Sequence, residues 1–415
     1  MQIYKFGGAS LKKAEALKTI IDIISDKKDL VIVVSAIDKT TNKLEKLVDA
    51  YLNNEPLKLE IFEKIKSFHI NFVKSAFGVK YNEFEIGITN IFNQLKEILD
   101  LPSNTSYDEV YDSIACYGEL LSSYILSTYL NINGVENSLV DIRNIIVTDS
   151  NFRDAKILWE ESKALIKNKF LDNNKIYITQ GFIGRDKFGK NTSLGREGSD
   201  YTASGLAYLL DAECVVIWKD VPGIMNADPS ICNFAEKLDY LSFREAIELA
   251  FYGAKVIHPK TIKPLENKNI PLYVNSFVDY KKKGTEVKKI DYKLDLIPIY
   301  IFKANQILLS VSPKDFSFVV EENISKLFAL FTQYKIKVNI TQNSAISFSA
   351  AIDGNNRNFD KLIEDLSKEY FVKYNTDLQL VTIRYYTDDS IVKMTSGKRI
   401  LLEQRSRTTA RFVLQ

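Results

Sequence analysis

Residues 1–35 read MQIYKFGGASLKKAEALKTIIDIISDKKDLVIVVS, and their order decides the fold class. A short strand ends at Gly7-Gly8. Leu17, Ile20, Ile21 and Ile24 then recur at helical spacing within Leu11 to Ser25. Leu30 to Ser35 is a continuous apolar run of strand length, the pattern of a strand covered on both faces. Strand, glycine turn, helix and buried strand make a βαβ unit with a right-handed crossover.

Outward from this unit, a long helical section covers roughly 41–132, broken near Pro56, Gly78 and Pro102. Its last part, Tyr107 to Leu130, is an amphipathic or buried helix. Strand-like runs follow at 136–141, 175–182, 213–219 and 270–275, with helices expected over 152–169, 199–211, 242–253 and 259–268. This alternation predicts an α/β fold, a mostly parallel sheet sandwiched by helices. The pattern changes near 281–296, where Lys281-Lys-Lys-Gly284 reads as an exposed turn. Beyond it, strand 306–312, helix 323–334, strands 336–342 and 344–352, helix 357–370 and strand 378–384 spell βαββαβ, a ferredoxin-like α+β unit. The remainder, 386–415, offers a short helix and two strands, too little for a second complete copy.

Composition narrows the function classes. The 415 residues are 46% hydrophobic and 26% charged, ample for two or three domains with large cores. Fifty-five basic residues against 53 acidic ones leave a formal charge of +2, so no general basic field invites nucleic acid. No apolar run reaches the roughly 18–20 residues that span a bilayer. The N-terminus lacks the charged and apolar regions of a secretory leader. Cys116, Cys214 and Cys232 lie far apart without a CxxC, and His69 and His258 are the two histidines, which fits a reducing compartment and no protein-built metal centre. A cytoplasmic enzyme without nucleic-acid or membrane partners is the expectation.

Four clusters carry candidate chemistry. In Lys5-Phe-Gly7-Gly8-Ala9-Ser10, a lysine at a strand end, two glycines and a hydroxyl opening a helix suit a phosphate cradle; the spacing is neither GxxxxGK[ST] nor GxGxxG. An ordinary strand-to-helix turn with Ser10 as N-cap fits the same residues. Thr192 to Thr202 sets Arg196, a planar fork for carboxylate or phosphate, among glycines and hydroxyls, with Asp200 near a helix start as a cap or a lysine holder. Trp218 to Pro229 follows a buried strand and lies at the carboxyl edge of the sheet, where open α/β sheets bind ligands. Gly253 to Lys260 pairs a helix end with Lys255, and His258 before Pro259 reads as packing or capping. Glu119 lies in a helix of apolar and small residues. It is a surface glutamate or, if buried, a carboxylate that needs a cation or a pocket wall.

Taken together, these motifs resemble the aspartokinase branch of the amino-acid kinase superfamily. KFGGAS at 5–10, VVSA at 33–36, Thr41-Asn42, YGE at 117–119, TQGFIG at 179–184, GREGSDYTA at 195–203, WKDVPG at 218–223 and GAKVIHP at 253–259 occur in that family's order and spacing. The resemblance implies a catalytic domain over 1–295. It also implies an ACT-like regulatory and dimerisation domain over 296–415, with one complete unit and a partial one. The implied reaction is phosphoryl transfer from ATP to the β-carboxylate of L-aspartate, giving 4-phospho-L-aspartate on the way to lysine, threonine and methionine. Mg²⁺ would be held mainly by the nucleotide phosphates. By the same resemblance Lys5, Asp200 and Lys255 are catalytic. Ser35, Thr41, Glu119, Arg196 and Ser199 bind substrate, with Glu119 on its ammonium and Arg196 on its carboxylate. Gly7, Gly8, Ser10, Lys219, Asp220 and Met225 join Lys5 and Lys255 around ATP, and a homodimer through the ACT region is implied.

The sequence departs from the family pattern at Ala9, Glu197, Met225 and Ser230, and Asp315 to Asn323 lacks the glycine-containing effector loop, which counts against feedback binding of lysine or threonine. Two rivals stay open: another acid kinase of the same fold, acting on glutamate or N-acetylglutamate, and a catalytically lapsed amino-acid sensor.

Overall fold

The structure is a computed structural model. It describes every residue except 103, 167–168, 171–173, 255–256, 292–295 and 316–317, and gives the backbone alone for 79 and 81–83. The chain divides into two compact units. The first comprises Met1–Ile224, Lys237–Ile247 and Lys255–Tyr292; the second comprises Met225–Glu236, Glu248–Ala254 and Lys293–Gln415.

The first unit opens with β1 (Gln2–Phe6), α1 (Ala16–Ile24) and β2 (Leu30–Val34), the expected βαβ unit. The four helices α2 (Thr40–Leu52), α3 (Leu57–Phe77), α4 (Asn82–Asp100) and α5 (Tyr107–Ile132) follow, with breaks where the prolines and Gly78 fall. Next come β3 (Asn137–Val140), β4 (Val147–Thr148), α6 (Trp159–Ile166), β5 (Ile176–Gln180), β6 (Ile183–Asp186), β7 (Asn191–Ser193), α7 (Gly198–Leu210) and β8 (Cys214–Lys219). The unit closes with β9 (Tyr240–Ser242), α8 (Phe243–Tyr252), α9 (Pro259–Lys268), β10 (Leu272–Ser276) and β11 (Thr285–Lys288); the second half of α8, from Glu248, belongs to the second unit.

Among the described residues, eight strands form one sheet in the order β3-β5-β2-β1-β8-β10-β11-β9, parallel at every pairing except β10 with β11. All five residues of β2 are fully buried. That explains their unbroken apolar run, since helices cover both faces. The chain leaves β1 toward β2 on one side, while β8 flanks β1 on the other. A topological switch point therefore lies at the carboxyl end of β1, the place where open α/β sheets form ligand crevices.

Two expectations are corrected here, and one feature has no counterpart in the sequence reading. After Gly7 the chain makes one 3₁₀ turn, Gly8–Leu11, and α1 begins only at Ala16, so Ser10 neither opens nor caps the helix; its hydroxyl donates to the Trp218 carbonyl at 3.4 Å. The helix expected from 152 begins at Trp159, because 149–155 is a tight turn tied down by Asp149, which accepts from the Asn151 and Lys156 amides. A small second sheet, β4-β6-β7, was not foreseen; it arises from a hairpin turning at Lys187 to Lys190 with Gly189 at φ 83°.

The second unit contains β12 (Ile299–Pro313), α10 (Glu321–Gln333), β13 (Val338–Asn343), β14 (Phe348–Asp353), α11 (Phe359–Glu369), β15 (Tyr370–Arg384), α12 (Asp388–Thr395), β16 (Ile400–Arg405) and β17 (Thr409–Leu414). Its antiparallel sheet runs β13-β14-β12-β15-β17-β16. The first four elements of strand give the ferredoxin-like order, with α10 and α11 packed over Leu309, Leu327, Phe331, Leu362 and Leu366. The remainder does more than the sequence reading allows. The first half of β12 (299–303) pairs with the second half of β15 (380–384), which pairs in turn with β17. A second four-strand array is thus completed with one helix, α12, by sharing the two long strands.

Candidate active site

Lys5 on β1 and Lys219 at the end of β8 converge on Asp200 in the first turn of α7. The Lys5 Nζ lies 2.6 Å from Asp200 Oδ1 and the Lys219 Nζ lies 3.4 Å from Oδ2. Asp200 is buried, and burial alone would lift its pKa. The two ammonium charges outweigh that penalty and hold the carboxylate below its ordinary range. One acid thus sits between two lysines at the switch point. The register makes the arrangement possible, since β1 and β8 pair in parallel with Lys5 opposite Ile217 and the lysine of β8 one step past Trp218.

The glycine turn lies against the next strand's exit loop. A Cβ on Gly8 would stand 2.4 Å from the Ala36 carbonyl oxygen, so no side chain fits there. From the opposite side, α5 approaches the same loop at Gly118, where a Cβ would stand 2.9 Å from the Ala36 Cβ. That close approach lets the Ala36 amide donate to Glu119 Oε1 at 3.3 Å. Glu119 is 2% exposed and its Oε2 has no partner among the described residues. Burial pushes its carboxyl up to about 8, against the opposing pull of the Ala36 amide and of Lys5. The surface reading of this helix glutamate is therefore wrong: it is a buried acid at a pocket wall.

These groups face a cavity of about 510 Å³. Lys5, Lys219, Asp200 and Glu119 line it together with Ser35, Thr41, Arg196 and Ser199. Arg196 is exposed and forms no ion pair with any described residue. Gly8 also lines the cavity, while Gly7 sits just behind it, where a Cβ would stand 3.5 Å from the Lys5 Nζ. Ser10 and Asp220 are not among the lining residues, and Met225 belongs to the second unit. Lys255 lies outside the described residues. Sequence reasoning missed Tyr111 and Arg153, which also line the cavity; their signal is weak, because Tyr111 merges into the apolar periodicity of α5 and Arg153 sits in an irregular turn.

The remaining titratable candidates are structural. The His258 ring accepts from the Lys260 amide at 3.2 Å and caps α9. His69 is buried among Phe68 and Phe92. The thiols of Cys116 and Cys214 are pushed up by burial to about 12 and about 11, the opposite of an activated thiolate. No described helix is long and apolar enough to cross a membrane.

A glycine turn at a switch point, facing paired lysines held by one buried acid, suits a small-molecule phosphotransferase. Residues 1–276 match the model of the amino acid kinase family, and the chain belongs to that family. Within it, the chain is similar to aspartokinases: Aspartokinase 1, chloroplastic, of Arabidopsis thaliana is 31% identical over 391 residues, spanning 88% of this chain and 67% of that protein. Among solved structures, Escherichia coli aspartokinase III in complex with lysine and aspartate (T-state) aligns over 100% of this chain and 95% of its own, with TM-score 0.84 and 26% identity. The same enzyme in complex with aspartate and ADP (R-state) gives TM-score 0.82 at 26% identity, over 100% of this chain and 96% of its own.

Proposed function

We propose that this chain is an aspartate kinase that transfers the γ-phosphoryl group of ATP to the β-carboxylate of L-aspartate. A carboxylate oxygen attacks the γ-phosphorus, the bond to the bridging oxygen of the β-phosphate breaks, and ADP leaves with that electron pair. The nucleophile is already ionised at neutral pH, so no general base is needed. What remains is to align two anions and to offset charge on the transferring group, which suits a cavity rich in cations and poor in histidine.

The observation that carries this reading is the buried Glu119 with a free oxygen, on the same cavity as Arg196 and Lys5. An amino acid with one ammonium and two carboxylates meets all three, whereas an acetylated or nucleotide substrate leaves Glu119 buried without a partner. Lys5 sits on the phosphoryl oxygens in flight, and Asp200 orients both lysines. Arg196 takes the α-carboxylate, with Ser35, Thr41 and Ser199 as neutral partners. Gly7 and Gly8 let the β1 turn approach the phosphates, and Ser10 keeps that turn against Trp218. Lys219 and Asp220 face the nucleotide, with Met225 and Lys255 as further contacts. Mg²⁺ would be held mainly by the nucleotide phosphates and would offset their charge.

The catalytic domain is assigned to 1–295 and the ACT-like regulatory domain to 296–415, with a homodimer formed through the latter. Light scattering of the full chain and of a chain cut after 295 tests that assembly. The reaction is tested by trapping acyl phosphate with hydroxylamine in the presence of ATP, Mg²⁺ and, in parallel, L-aspartate, L-glutamate or N-acetyl-L-glutamate. Hydroxamate from aspartate alone is expected; product from another acid but not aspartate refutes the substrate, and silence with all three alongside intact ATP binding refutes the kinase.

A further inference from the structure

Arg153 lies in the turn between β4 and α6 and adopts φ 65°, the left-handed region that favours glycine. Such an outlier persists only where the surroundings hold it. Here the hold is a buried carboxylate. The Arg153 amide donates to Asp112 Oδ2 at 2.9 Å, and Asp112 also accepts from the Ser193 amide at 2.8 Å and the Ser193 hydroxyl at 2.5 Å. Asp112 is 1% exposed and makes no ion pair with any described residue, so a costly buried charge is committed to fixing one turn. The Ala155 amide donates to the Ser193 carbonyl at 2.9 Å and closes the turn from its other end.

The side chain of Arg153 is arranged as deliberately as its backbone. Its guanidinium lies 4.3 Å from the centre of the Tyr111 ring and 5.5 Å from that of Tyr107. Aromatic faces orient a planar fork without consuming its donors. Nη2 meets Glu45 at 2.9 Å and Nη1 meets Asp108 at 3.6 Å, but the three side chains are 39%, 41% and 57% exposed. Ion pairs that wet contribute little and exchange readily for another carboxylate. A surface ion pair by itself would need neither the strained turn nor the buried anchor, and Arg153 together with Tyr111 lines the cavity that holds Arg196 and Lys5.

We infer that Arg153 is a further substrate-binding residue, which takes the α-carboxylate of the amino acid together with Arg196 and leaves Lys5 for the carboxylate that is phosphorylated. Asp112 is the positioning residue behind it. The inference rests on the aspartate kinase reading.

Steady-state kinetics of the full chain, with hydroxamate as readout, test it. Both R153M and R153G are expected to raise the KM for aspartate about tenfold, the effect of one charge-assisted contact, with kcat and the KM for ATP within about twofold. R153K should fall between them and the wild type, keeping the charge and losing the fork. Because glycine adopts positive φ freely, R153G should melt no lower than the wild type while binding aspartate worse. D112N should raise the aspartate KM in the wild-type background and leave it unchanged in R153G, since its effect passes through Arg153; a purely structural Asp112 would act equally in both. An aspartate KM unchanged in both R153M and R153G, beside a wild type that turns over aspartate, overturns this inference alone. An equal rise in the KM for ATP overturns it too, by assigning Arg153 to the nucleotide. A wild type without hydroxamate from aspartate overturns the substrate reading as well.

Discussion

If Glu119 receives the substrate ammonium, as proposed, aspartate binding should release a proton, and the size of the effect follows from the surroundings of this buried acid. With its carboxyl pushed up to about 8 by burial, Glu119 is mostly protonated in the ligand-free enzyme at neutral pH. Only the ionised form attracts the substrate ammonium, so the apparent dissociation constant is the intrinsic one divided by the ionised fraction. That fraction is about one half at pH 8, one tenth at pH 7 and one hundredth at pH 6. Aspartate affinity should therefore weaken by roughly fifty-fold between pH 8 and pH 6, and each aspartate bound at pH 7 should release about 0.9 proton. Calorimetry at pH 7 in buffers of different ionisation enthalpy counts that proton directly. The variant E119Q keeps the shape and stays neutral. It should lose aspartate affinity, release no proton and lose the pH slope.

Stability moves the other way. A carboxyl whose folded pKa lies above its unfolded one stabilises the fold fully below the unfolded pKa, and that contribution is lost as pH rises through the folded pKa. The ligand-free E119Q protein should thus melt higher than the wild type at pH 8. No proton released by the wild type, together with an affinity flat from pH 6 to 8, would refute the claim that this buried acid receives the ammonium.

Lys5→Met should depress kcat by about 10²-fold or more with little change in either KM, if the lysine acts on the transition state, and a loss confined to ATP affinity would contradict that. Arg196→Ala should raise the aspartate KM while ATP binding, measured by titration, is retained. Gly8→Ala forces a Cβ to 2.4 Å from a backbone oxygen and should cost about 1–3 kcal/mol in denaturant unfolding, more than alanine at an open turn. His69, pushed down to about 4 chiefly by burial, binds its proton more weakly folded than unfolded. Stability should fall by roughly 3 kcal/mol as pH drops from 6.5 to 4, and His69→Leu should flatten that part of the profile.

Periodicity reached the framework readily, because Leu30–Val34 and Val215–Trp218 lie in sheet strands covered by helices and carry that burial as unbroken apolar runs. Glycine and proline punctuation likewise marked the breaks among α2 to α5. What stayed hidden is of two kinds. The 3₁₀ turn after Gly8 and the hairpin of β6 and β7 are too short for a period to register. The burial of Glu119 depends on Gly118 letting α5 reach the Ala36 loop, a contact 82 residues away in sequence that no local pattern encodes. Arg153 is the extreme case: nothing around residue 153 signals a ligand, and its placement is dictated by Asp112 and Ser193 from two distant elements. The shared strands of the tail were invisible for a related reason. A 15-residue strand looks the same in sequence whether it serves one array or two.

Those two long strands settle how the tail can move. Each changes neighbours along its length, and β12 does so at an irregularity between Lys303 and Gln306, where Asn305 turns to φ 53°. Sliding either strand by one residue would turn that strand's inward side chains in both arrays outward at once, Leu309 with Tyr300 on β12 or Tyr370 with Val381 on β15. Slippage of one array past the other is thereby ruled out as a low-energy motion.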